Sequence, residues 1–297
     1  MGIVHEITGK IIVFGGTGFL GSYVVNQLIE AGYDAYAADI KESINIPPSR
    51  FIKCDILDGS LVNNVVSDAE IVFNFAGYAN LENAIKNPFE TISLNVMGNI
   101  NILEGVRNTN ISRYLFASSA YAMNNKASFY GISKLASEKI IEEYHKQYSL
   151  NYTIIRFGSI YSEQESDNNY LFKVVKDAVE SREIIHPGNG EEIREYIHAE
   201  DAARLAINIL EDKEYEGQHI ILTGSERFKR LEIFQMIKEI LGEDLSIKLN
   251  QGGYDNHYNY TPYQYQPSIS KKLIANPYID LGQGILRCIQ NVKNSTL

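Results

Sequence analysis

Short apolar runs alternate with longer stretches of helical periodicity through the first half of the chain. Six runs rich in Val, Ile, Phe and Tyr predict β-strands, at residues 10–14, 34–39, 51–54, 71–75, 113–117 and 152–157. Most positions in these runs are apolar, as expected of strands that are covered on both faces. Strands that alternate with helices predict an α/β fold, with a doubly wound parallel sheet of the Rossmann type.

Helical stretches fill the intervals between these strands, including residues 20–31, 91–108 and 130–148. The alternation becomes looser after residue 158. We therefore predict a seven-stranded sheet in a first domain (mainly 1–160). A smaller C-terminal α/β lobe (mainly 161–297) follows, with segments that return to the sheet. The segment 250–266 is rich in Tyr, Asn and Gln and has almost no charge, which predicts a surface loop.

Composition and charge narrow the class of protein. The chain has 297 residues, of which 44% are hydrophobic and 22% charged, as in ordinary globular proteins. Its formal net charge of -10 argues against a nucleic acid or an anionic membrane as a partner. The two cysteines, Cys54 and Cys288, fit no metal-ligand spacing. With no apolar run near the ~20 residues of a membrane helix and no signal peptide, we expect a cytoplasmic protein.

A glycine-rich turn follows the first predicted strand and precedes a predicted helix. Gly15 permits a tight turn, Gly18 lets backbone N–H groups approach a pyrophosphate, and Gly21 lets the helix pack against the strand. The helix N-terminus offers further N–H groups to the anion. Asp39, at the end of the second strand, is suited to accept hydrogen bonds from ribose hydroxyls and to repel a 2′-phosphate. It favours NAD over NADP, a preference that the neighbouring Lys41 could weaken.

A second cluster of residues has the chemistry of a general base. Tyr130 and Lys134 open a predicted helix, and their i, i+4 spacing places both side chains on one face. A phenol with a pKa near 10 is a poor base at neutral pH, whereas a neighbouring ammonium favours the phenolate. Ser118 and Ser119 end the preceding strand, where a hydroxyl can orient a reacting oxygen.

These motifs, in this order, resemble the extended short-chain dehydrogenase/reductases, the NAD-dependent epimerase/dehydratase family, over nearly the whole chain. Further segments are similar to family motifs: Asp55-Ile56, Asn74-Phe-Ala-Gly77, Asn95-Val-Met-Gly98, Phe116-Ala-Ser-Ser119, Arg156-Phe-Gly-Ser-Ile-Tyr161 and Gly188 to Asp201. The resemblance implies a Rossmann domain that binds NAD, a lobe that binds a nucleotide sugar, and an active site between the two.

The resemblance also implies roles for individual residues. The catalytic residues are expected to be Tyr130, Lys134 and Ser119. NAD is expected to be bound by Gly15, Thr17, Gly18, Phe19, Leu20, Gly21, Asp39, Ile40, Asp55, Ile56, Phe75, Ala76, Gly77, Asn95, Ser118, Tyr130, Lys134 and Phe157. The substrate is expected to contact Ser119, Tyr130, Ser159 and, at its diphosphate, Arg194. We expect no metal site, bracing or capping roles for His198 and Asp201, and an ion pair for Arg156.

The chain departs from the family pattern near the expected entrance to the site. Ten residues separate Ser119 from Tyr130, fewer than family members usually have, and Ser162 stands where a Gly is usual. The entrance is therefore expected to be more open, or to be completed by another segment such as 250–266. These departures leave the hydride chemistry intact but weaken inference about the substrate.

Three reactions fit the same residues, and a fourth does not. The one that does not is that of a 4,6-dehydratase, which needs an acidic pair directly after the hydroxyl residue. The chain has Ala120-Tyr121 there, which argues against a dehydratase. A 4-epimerase needs only the Tyr, Lys and Ser set with a tightly held NAD, and it is our leading prediction. A ketosugar reductase generally uses NADPH, which Asp39 disfavours, and a sugar-nucleotide dehydrogenase stays open. A non-catalytic NAD-binding sensor is the alternative of another class, although such proteins commonly lose the Tyr or the Lys. By resemblance, helices 91–108 and 130–148 are expected to form a homodimer.

Overall fold

The computed structural model describes residues 7–123, 128–250, 271–273 and 278–295. The strands in these ranges are β1 (Lys10–Phe14), β2 (Ala35–Asp39), β3 (Phe51–Lys53), β4 (Ala69–Asn74), β5 (Arg113–Ser119), β6 (Tyr152–Phe157), β7 (Ser159–Tyr161), β8 (Glu183–His186), β9 (Ile193–Arg194), β10 (Tyr196–His198), β11 (Gln218–Leu222), β12 (Phe228–Lys229), β13 (Ser246–Leu249) and β14 (Lys271–Leu273). The α-helices are α1 (Phe19–Glu30), α2 (Gly59–Val66), α3 (Leu81–Lys86), α4 (Pro88–Ile92), α5 (Asn99–Val106), α6 (Ser128–Tyr148), α7 (Tyr170–Ser181), α8 (Ala199–Glu211), α9 (Arg230–Leu241) and α10 (Leu281–Ser295).

One sheet of eight strands organises the described part of the chain. Its order is β14-β11-β6-β5-β4-β1-β2-β3, and every neighbouring pair is parallel. The chain leaves β1 toward β2 on one side and leaves β4 toward β5 on the other. A crevice therefore opens beyond the carboxyl ends of β1 and β4, at the switch point where Rossmann folds bind ligands.

The predicted Rossmann sheet is confirmed, but the predicted count of seven strands is wrong. The eighth strand, β14, pairs with β11 at the edge of the sheet. Two of its three residues are exposed lysines, so the sequence there lacks the apolar run that marked the central strands. Edge strands are short and polar for a physical reason, since charged side chains discourage pairing with other molecules.

Alternate residues of the central strands fill two separate apolar layers. Ile11 and Val13 of β1 point toward α1 and α8, whereas Ile12 and Phe14 point toward α2, α5 and α6. All four side chains are fully buried. Burial of each stabilises the fold by roughly 1.5–3 kcal/mol relative to exposure. Because both faces of the sheet are covered, its strands are apolar throughout, as the sequence predicted.

A third apolar cluster forms the core of a smaller lobe. It includes residues of α7, α9 and α10, among them Phe172, Val175, Phe234 and Ile285. Three two-stranded sheets, β7 with β10, β8 with β13, and β9 with β12, contribute to this part of the molecule. Meanwhile α8, β11 and β14 return to the large sheet. Residues 251–266 of the predicted surface loop lie outside the described residues.

The predicted helix 91–108 is not one regular helix. It consists of the end of α4, one π-helical turn at Ser93–Gly98, and α5. Gly98 lies against Ile56, where a Cβ atom would overlap the Ile56 side chain. Single π-turns inside helices are frequent at functional sites. The other two predicted helices are confirmed, as α1 and α6, with boundaries that differ by one or two residues.

Candidate active site

A cavity of about 960 Å³ lies at the carboxyl ends of the central strands. Most residues expected to bind the cofactor line it: Gly15, Gly18, Phe19, Leu20, Gly21, Asp39, Ile40, Asp55, Ile56, Phe75, Ala76, Gly77, Ser118, Tyr130, Lys134 and Phe157. Ser119 also lines the cavity. Thr17, Asn95, Ser159 and Arg194 are not among the lining residues. The structure thus brings the predicted cofactor and catalytic residues together, while the expected substrate contacts are only partly assembled.

The glycine-rich turn leaves room that side chains would fill. Gly15 has a φ of +72°, and an added Cβ would lie 2.5 Å from the backbone nitrogen of Ala76. A Cβ on Gly21 would overlap the Gly15 carbonyl. Gly18 is the N-cap of α1, and as a glycine it has no side chain that could bind the first N–H groups of the helix. The first turn of α1 therefore presents backbone N–H groups at the cavity, as a pyrophosphate site requires.

Asp39 is held in the cavity by backbone hydrogen bonds. Its carboxylate accepts from the N–H of Thr17 at 3.2 Å and from the N–H of Ile40 at 2.8 Å. Thr17 lies behind the lining and orients Asp39 through its backbone. A fixed carboxylate at the end of β2 suits a ribose with free hydroxyls and repels a phosphate. The residues present thus fit NAD better than NADP.

Tyr130 and Lys134 lie in the first half of α6, facing the cavity. The Lys134 ammonium donates to the carbonyl of Ala117 at 2.9 Å and lies 4.9 Å from the centre of the Phe116 ring. Only 5% of Lys134 is exposed, and burial lowers the pKa of its ammonium to about 8. Tyr130 packs edge-on against Tyr121, with ring centres 6.1 Å apart. A phenol and a desolvated ammonium on one helix face have the arrangement of a general base with its electrostatic support.

Ser119, the last residue of β5, lines the same cavity as Tyr130 and Lys134. Its hydroxyl oxygen accepts a hydrogen bond from the N–H of Tyr121 at 3.2 Å. The hydroxyl can still donate to a reacting oxygen, because the backbone bond occupies only an acceptor position. Ser118 also lines the cavity, but its hydroxyl donates to the carboxylate of Glu138 at 2.5 Å.

Asn95 lies in the π-turn and connects two parts of the site. Its amide oxygen accepts from the N–H of Tyr78 at 2.6 Å, and its amide nitrogen donates to the Tyr78 carbonyl at 3.0 Å. The same nitrogen donates to the hydroxyl of Ser133 on α6 at 2.8 Å. Asn95 therefore ties the segment that follows β4 to the helix that carries Tyr130, one layer behind the cavity lining.

Two expected substrate contacts lie apart from the cavity lining. Arg194 is 1% exposed on β9 and donates to the carbonyl of Ile193 at 2.9 Å. Ser159 begins β7 between Gly158 and Ile160, which both line the cavity. The structure thus leaves Ser159 at the edge of the site and Arg194 inside the fold.

The sequence did not single out several residues of the lining: Leu57, Ala79, Phe89, Glu90, Ser93, Leu94, Met97 and Asn168. Five of them flank Asn95 on α4 and the π-turn, where the family motif could have suggested its neighbours. Asn168 comes from the loop that precedes α7. That loop is held by buried Asn169, which donates to the carbonyls of Ser162 and Gln164. No local pattern predicts that this loop reaches the cavity.

The residues assigned structural roles have them. His198 is the N-cap of α8, where its side chain accepts from the N–H of Glu200. Asp201 accepts from the N–H groups of Tyr278 and Ile279. Among the described residues, no group of three His, Cys, Asp or Glu side chains could hold a metal ion. Nor does any described helix have the length and apolarity to cross a membrane.

Comparisons with known proteins agree with this geometry. Residues 11–223 match the model of the NAD dependent epimerase/dehydratase family. A protein of Methanocaldococcus jannaschii named "Putative UDP-glucose 4-epimerase" is 29% identical, over 96% of this chain and 99% of its own. The solved UDP-glucuronic acid 4-epimerase of Bacillus cereus, in complex with UDP-glucuronic acid and NAD, superposes with a TM-score of 0.84 at 19% identity, over 96% and 99% of the two chains. The UDP-glucose 4-epimerase of Thermotoga maritima, with UDP-glucose, gives a TM-score of 0.81 at 21% identity, over 97% and 100%.

The family model covers well over half of the chain, and the structural likeness confirms the fold. The expectations of an α/β Rossmann fold and of NAD as the cofactor are therefore confirmed. The chain belongs to the NAD-dependent epimerase/dehydratase family.

Proposed function

We propose that this protein is an NAD-dependent nucleotide-sugar epimerase of the UDP-glucose 4-epimerase type. One observation carries the proposal: Tyr130, Lys134 and Ser119 line the same cavity as the glycine-rich turn and Asp39. The relatives named UDP-glucose 4-epimerase support the substrate class. In this assignment residues 1–160 mainly bind the cofactor, and residues 161–297 mainly bind the substrate.

The proposed chemistry uses the three catalytic residues in both directions. NAD, when bound, supplies the acceptor of a hydride from the sugar carbon. Tyr130, as phenolate, takes the proton of the hydroxyl on that carbon, and the Lys134 ammonium stabilises the phenolate. Ser119 donates to the same oxygen and orients it. Once the keto sugar has turned over, Tyr130 returns the proton to the same oxygen, and the reduced cofactor would supply the hydride to the opposite face of the carbon, so that no net oxidation would occur.

Two features of the chain favour epimerase over its neighbours in the family. The positions after Ser119 are Ala120 and Tyr121, so the acidic pair that a 4,6-dehydratase uses there is missing. Asp39 lines the cavity with its carboxylate held by two backbone hydrogen bonds, and a negative charge at the end of β2 repels a 2′-phosphate, which disfavours a reductase that uses NADPH. The retained Tyr130 and Lys134 argue against a sensor without activity.

The substrate side is proposed with fewer residues than the sequence suggested. Ser119 and Tyr130 contact the hydroxyl oxygen on the reacting sugar carbon, and Ser159 contacts the substrate from the edge of the cavity. Burial of Arg194 supports a structural role in place of the predicted diphosphate contact. Asn168, which lines the cavity from the loop before α7, is a further candidate for the nucleotide sugar.

We also propose a homodimer in the cytoplasm. An exposed apolar row runs along α6 at Phe129, Ile132 and Leu135, and Met97 of the π-turn is half exposed. Such a row of neighbouring apolar side chains is typical of an interaction surface. Both cysteines are free and buried, which supports a reducing compartment.

The test begins with the protein as purified. Mass spectrometry of the nucleotide released on denaturation is expected to find NAD. UDP-glucose is expected to convert to UDP-galactose without added cofactor, and panels of UDP-, GDP- and dTDP-hexoses define the specificity. The Tyr130→Phe variant is expected to lose about 10²- to 10⁴-fold in turnover while it retains NAD.

Other results would redirect the assignment. Tighter binding of NADPH than of NADH would favour a ketosugar reductase, and release of free NADH during turnover would favour a dehydrogenase. A sensor would be favoured by two results together: the wild type turns over none of the nucleotide hexoses, and Tyr130→Phe responds to its ligand as the wild type does.

A further inference from the structure

We propose that Glu138 is a positioning residue for the reaction, a role that rests on the proposed function. It fixes α6 against the end of β5 and provides the negative charge that keeps Lys134 protonated. Glu138 lies on α6 one turn after Lys134 and two turns after Tyr130, so the three side chains share one helix face. None of Glu138 is exposed.

The carboxylate of Glu138 is bound on two sides. Arg156 of β6 donates to it through Nε at 2.9 Å and through Nη2 at 2.6 Å, which is a bidentate pair. Ser118 of β5 donates through its hydroxyl at 2.5 Å. Ser118 and Arg156 are directly opposite each other in the sheet. Glu138 therefore connects α6 to two neighbouring strands at one point.

A second connection lies one helical turn earlier. The Lys134 ammonium donates to the carbonyl of Ala117, the residue that precedes Ser118. Two consecutive residues of β5 are thus bonded to two consecutive turns of α6. These two bonds limit how far α6 can slide along β5 or tilt away from it, so Tyr130 is held near Ser119, which directly follows Ser118.

The charges around this pair determine its electrostatic effect. Desolvation lowers the pKa of Lys134, and the negative charge of Glu138 opposes that shift. Among the described residues, the other charged or titratable groups near Glu138 include Arg156 on β6, His219 on β11 at 3.7 Å, and Glu142 beyond it, which contacts His219 at 3.0 Å. Tyr152 of β6 is a further one: burial chiefly raises the pKa of its phenol, and the charges of Glu142 and Glu138 add to that rise. Removal of the Glu138 charge leaves the Tyr130 and Lys134 protons in a more positive environment, so both come off at lower pH.

Structural stability alone is a weak reason for this arrangement. A buried ion pair is often no more stabilising than apolar side chains of similar volume, because two charges must be desolvated. The pair is, however, bonded to the residue before Ser119 and lies one turn from Lys134. A role in the reaction explains that placement.

The test compares Glu138→Gln, which removes the charge, with Glu138→Asp, which keeps it. Both proteins are studied with their bound NAD. The first readout is the pH dependence of kcat with UDP-glucose. The second needs no substrate: the near-ultraviolet absorbance of the phenolate is titrated, and the same variant carrying Tyr130→Phe is subtracted. Tyr130 and Lys134 titrate as a coupled pair, so apparent midpoints are compared.

We expect Glu138→Gln to lower the apparent midpoint of the phenolate titration and that of the kcat profile, each by about half to one pH unit. We also expect it to lower kcat itself by about tenfold or more. Glu138→Asp keeps the wild-type midpoints and loses part of kcat. Glu142→Gln is the matched control, since it removes the same charge one turn further along α6, and it leaves the midpoints unchanged. Wild-type midpoints in Glu138→Gln would overturn the proposal.

If the unpaired Arg156 prevents Glu138→Gln from folding, the double variant E138Q/R156M replaces it, because it leaves no uncompensated charge. Because it removes a positive charge together with the negative one, its midpoints are expected to shift less than those of Glu138→Gln, while kcat is still lower because the bonds that tie α6 to β5 and β6 are lost. A double variant with wild-type kcat would reduce the pair to a structural one. If no sugar nucleotide is turned over by the wild type, the proposed function fails, while the phenolate titration still decides the electrostatic role.

Discussion

At the scale of single residues, the buried ammonium of Lys134 lowers the stability of the fold but serves the proposed reaction. The ammonium is almost fully buried, and its pKa of about 8 reflects the cost of desolvating it. The carbonyl of Ala117 and the charge of Glu138 offset part of that cost. A residue that served only the fold would be apolar at this position. The trade between stability and activity can therefore be measured at one side chain.

Replacement of Lys134 by Met is expected to raise the free energy of unfolding of the cofactor-free protein by about 1–2 kcal/mol at pH 7. The pKa is lower in the folded state than its ordinary value near 10.4, so between pH 8 and 10.4 the unfolded state binds more protons. The free energy of unfolding of the wild type therefore rises across that window relative to that of Lys134→Met. The difference in stability between the two proteins becomes smaller. Urea unfolding at pH 7 and pH 10 measures it, with Lys139→Met at an exposed site of the same helix as the control. A constant difference would contradict the prediction.

Asp39 provides the corresponding test of cofactor choice. Asp39→Ser removes the charge that faces the ribose and is expected to change the ratio of NADPH to NADH affinity by about 10- to 100-fold in favour of NADPH. Calorimetric titration of the cofactor-free protein with each dinucleotide measures the ratio. Asp68→Ser, at the exposed ion pair with Lys10, is the control and leaves the ratio unchanged. Equal affinity ratios in wild type and Asp39→Ser would show that another group selects the cofactor.

At the scale of helices and strands, what could be predicted depends on whether the signal is local. The apolar runs gave the central strands, and the glycine turn and the Tyr130–Lys134 spacing gave the first residues of the cavity lining, whereas most of the other predicted lining residues came from the family resemblance. The π-turn at Ser93–Gly98 was missed because one extra residue in a turn scarcely alters apolar spacing. The edge strand β14 was missed because its lysines carry no apolar pattern. Glu138 was missed because its partners lie on two strands distant in sequence.

The exposed apolar row on α6, formed by Phe129, Ile132 and Leu135, is the proposed dimer interface, and the oligomeric state in solution tests it. Ile132 is 62% exposed between Phe129 and Leu135, and we expect the wild type to be a dimer. Ile132→Glu is expected to shift it to monomer, because a charge would be buried without a partner in an apolar interface. Light scattering after size exclusion measures the mass. Ile185→Glu, a change at a similarly exposed residue of β8, is the control and leaves the dimer intact. A monomeric wild type would refute the proposed interface.

At the scale of the whole molecule, one fully buried and one partly buried histidine lie in different parts of the fold. His186 belongs to the smaller lobe, where it bonds Tyr170 at 3.0 Å and Glu192 at 3.2 Å. His219 belongs to β11 of the large sheet. Burial lowers the pKa of both below the ordinary value of 6.5, despite the carboxylates nearby. Burial makes protonation of either ring unfavourable in the folded state. A fall in pH is therefore expected to destabilise the large sheet and the smaller lobe together.

The protein is therefore expected to lose stability as the pH falls from 7 to 5. Well above pH 6.5 both histidines are neutral in the folded and unfolded states and contribute no difference. Below it the unfolded chain gains protons that the folded state resists, and each histidine contributes up to about 1.4 kcal/mol per pH unit. Glu163, whose pKa is lowered by its hydrogen bond with His198, adds a further loss below about pH 4.5. Urea unfolding at pH 7, 6 and 5 gives the slope. His186→Gln is expected to reduce that slope whatever it does to the absolute stability, since glutamine forms hydrogen bonds but does not titrate. A slope equal to that of the wild type would mean that His186 takes up its proton as readily in the folded state as in the unfolded chain, so that Glu192 offsets the burial of the ring.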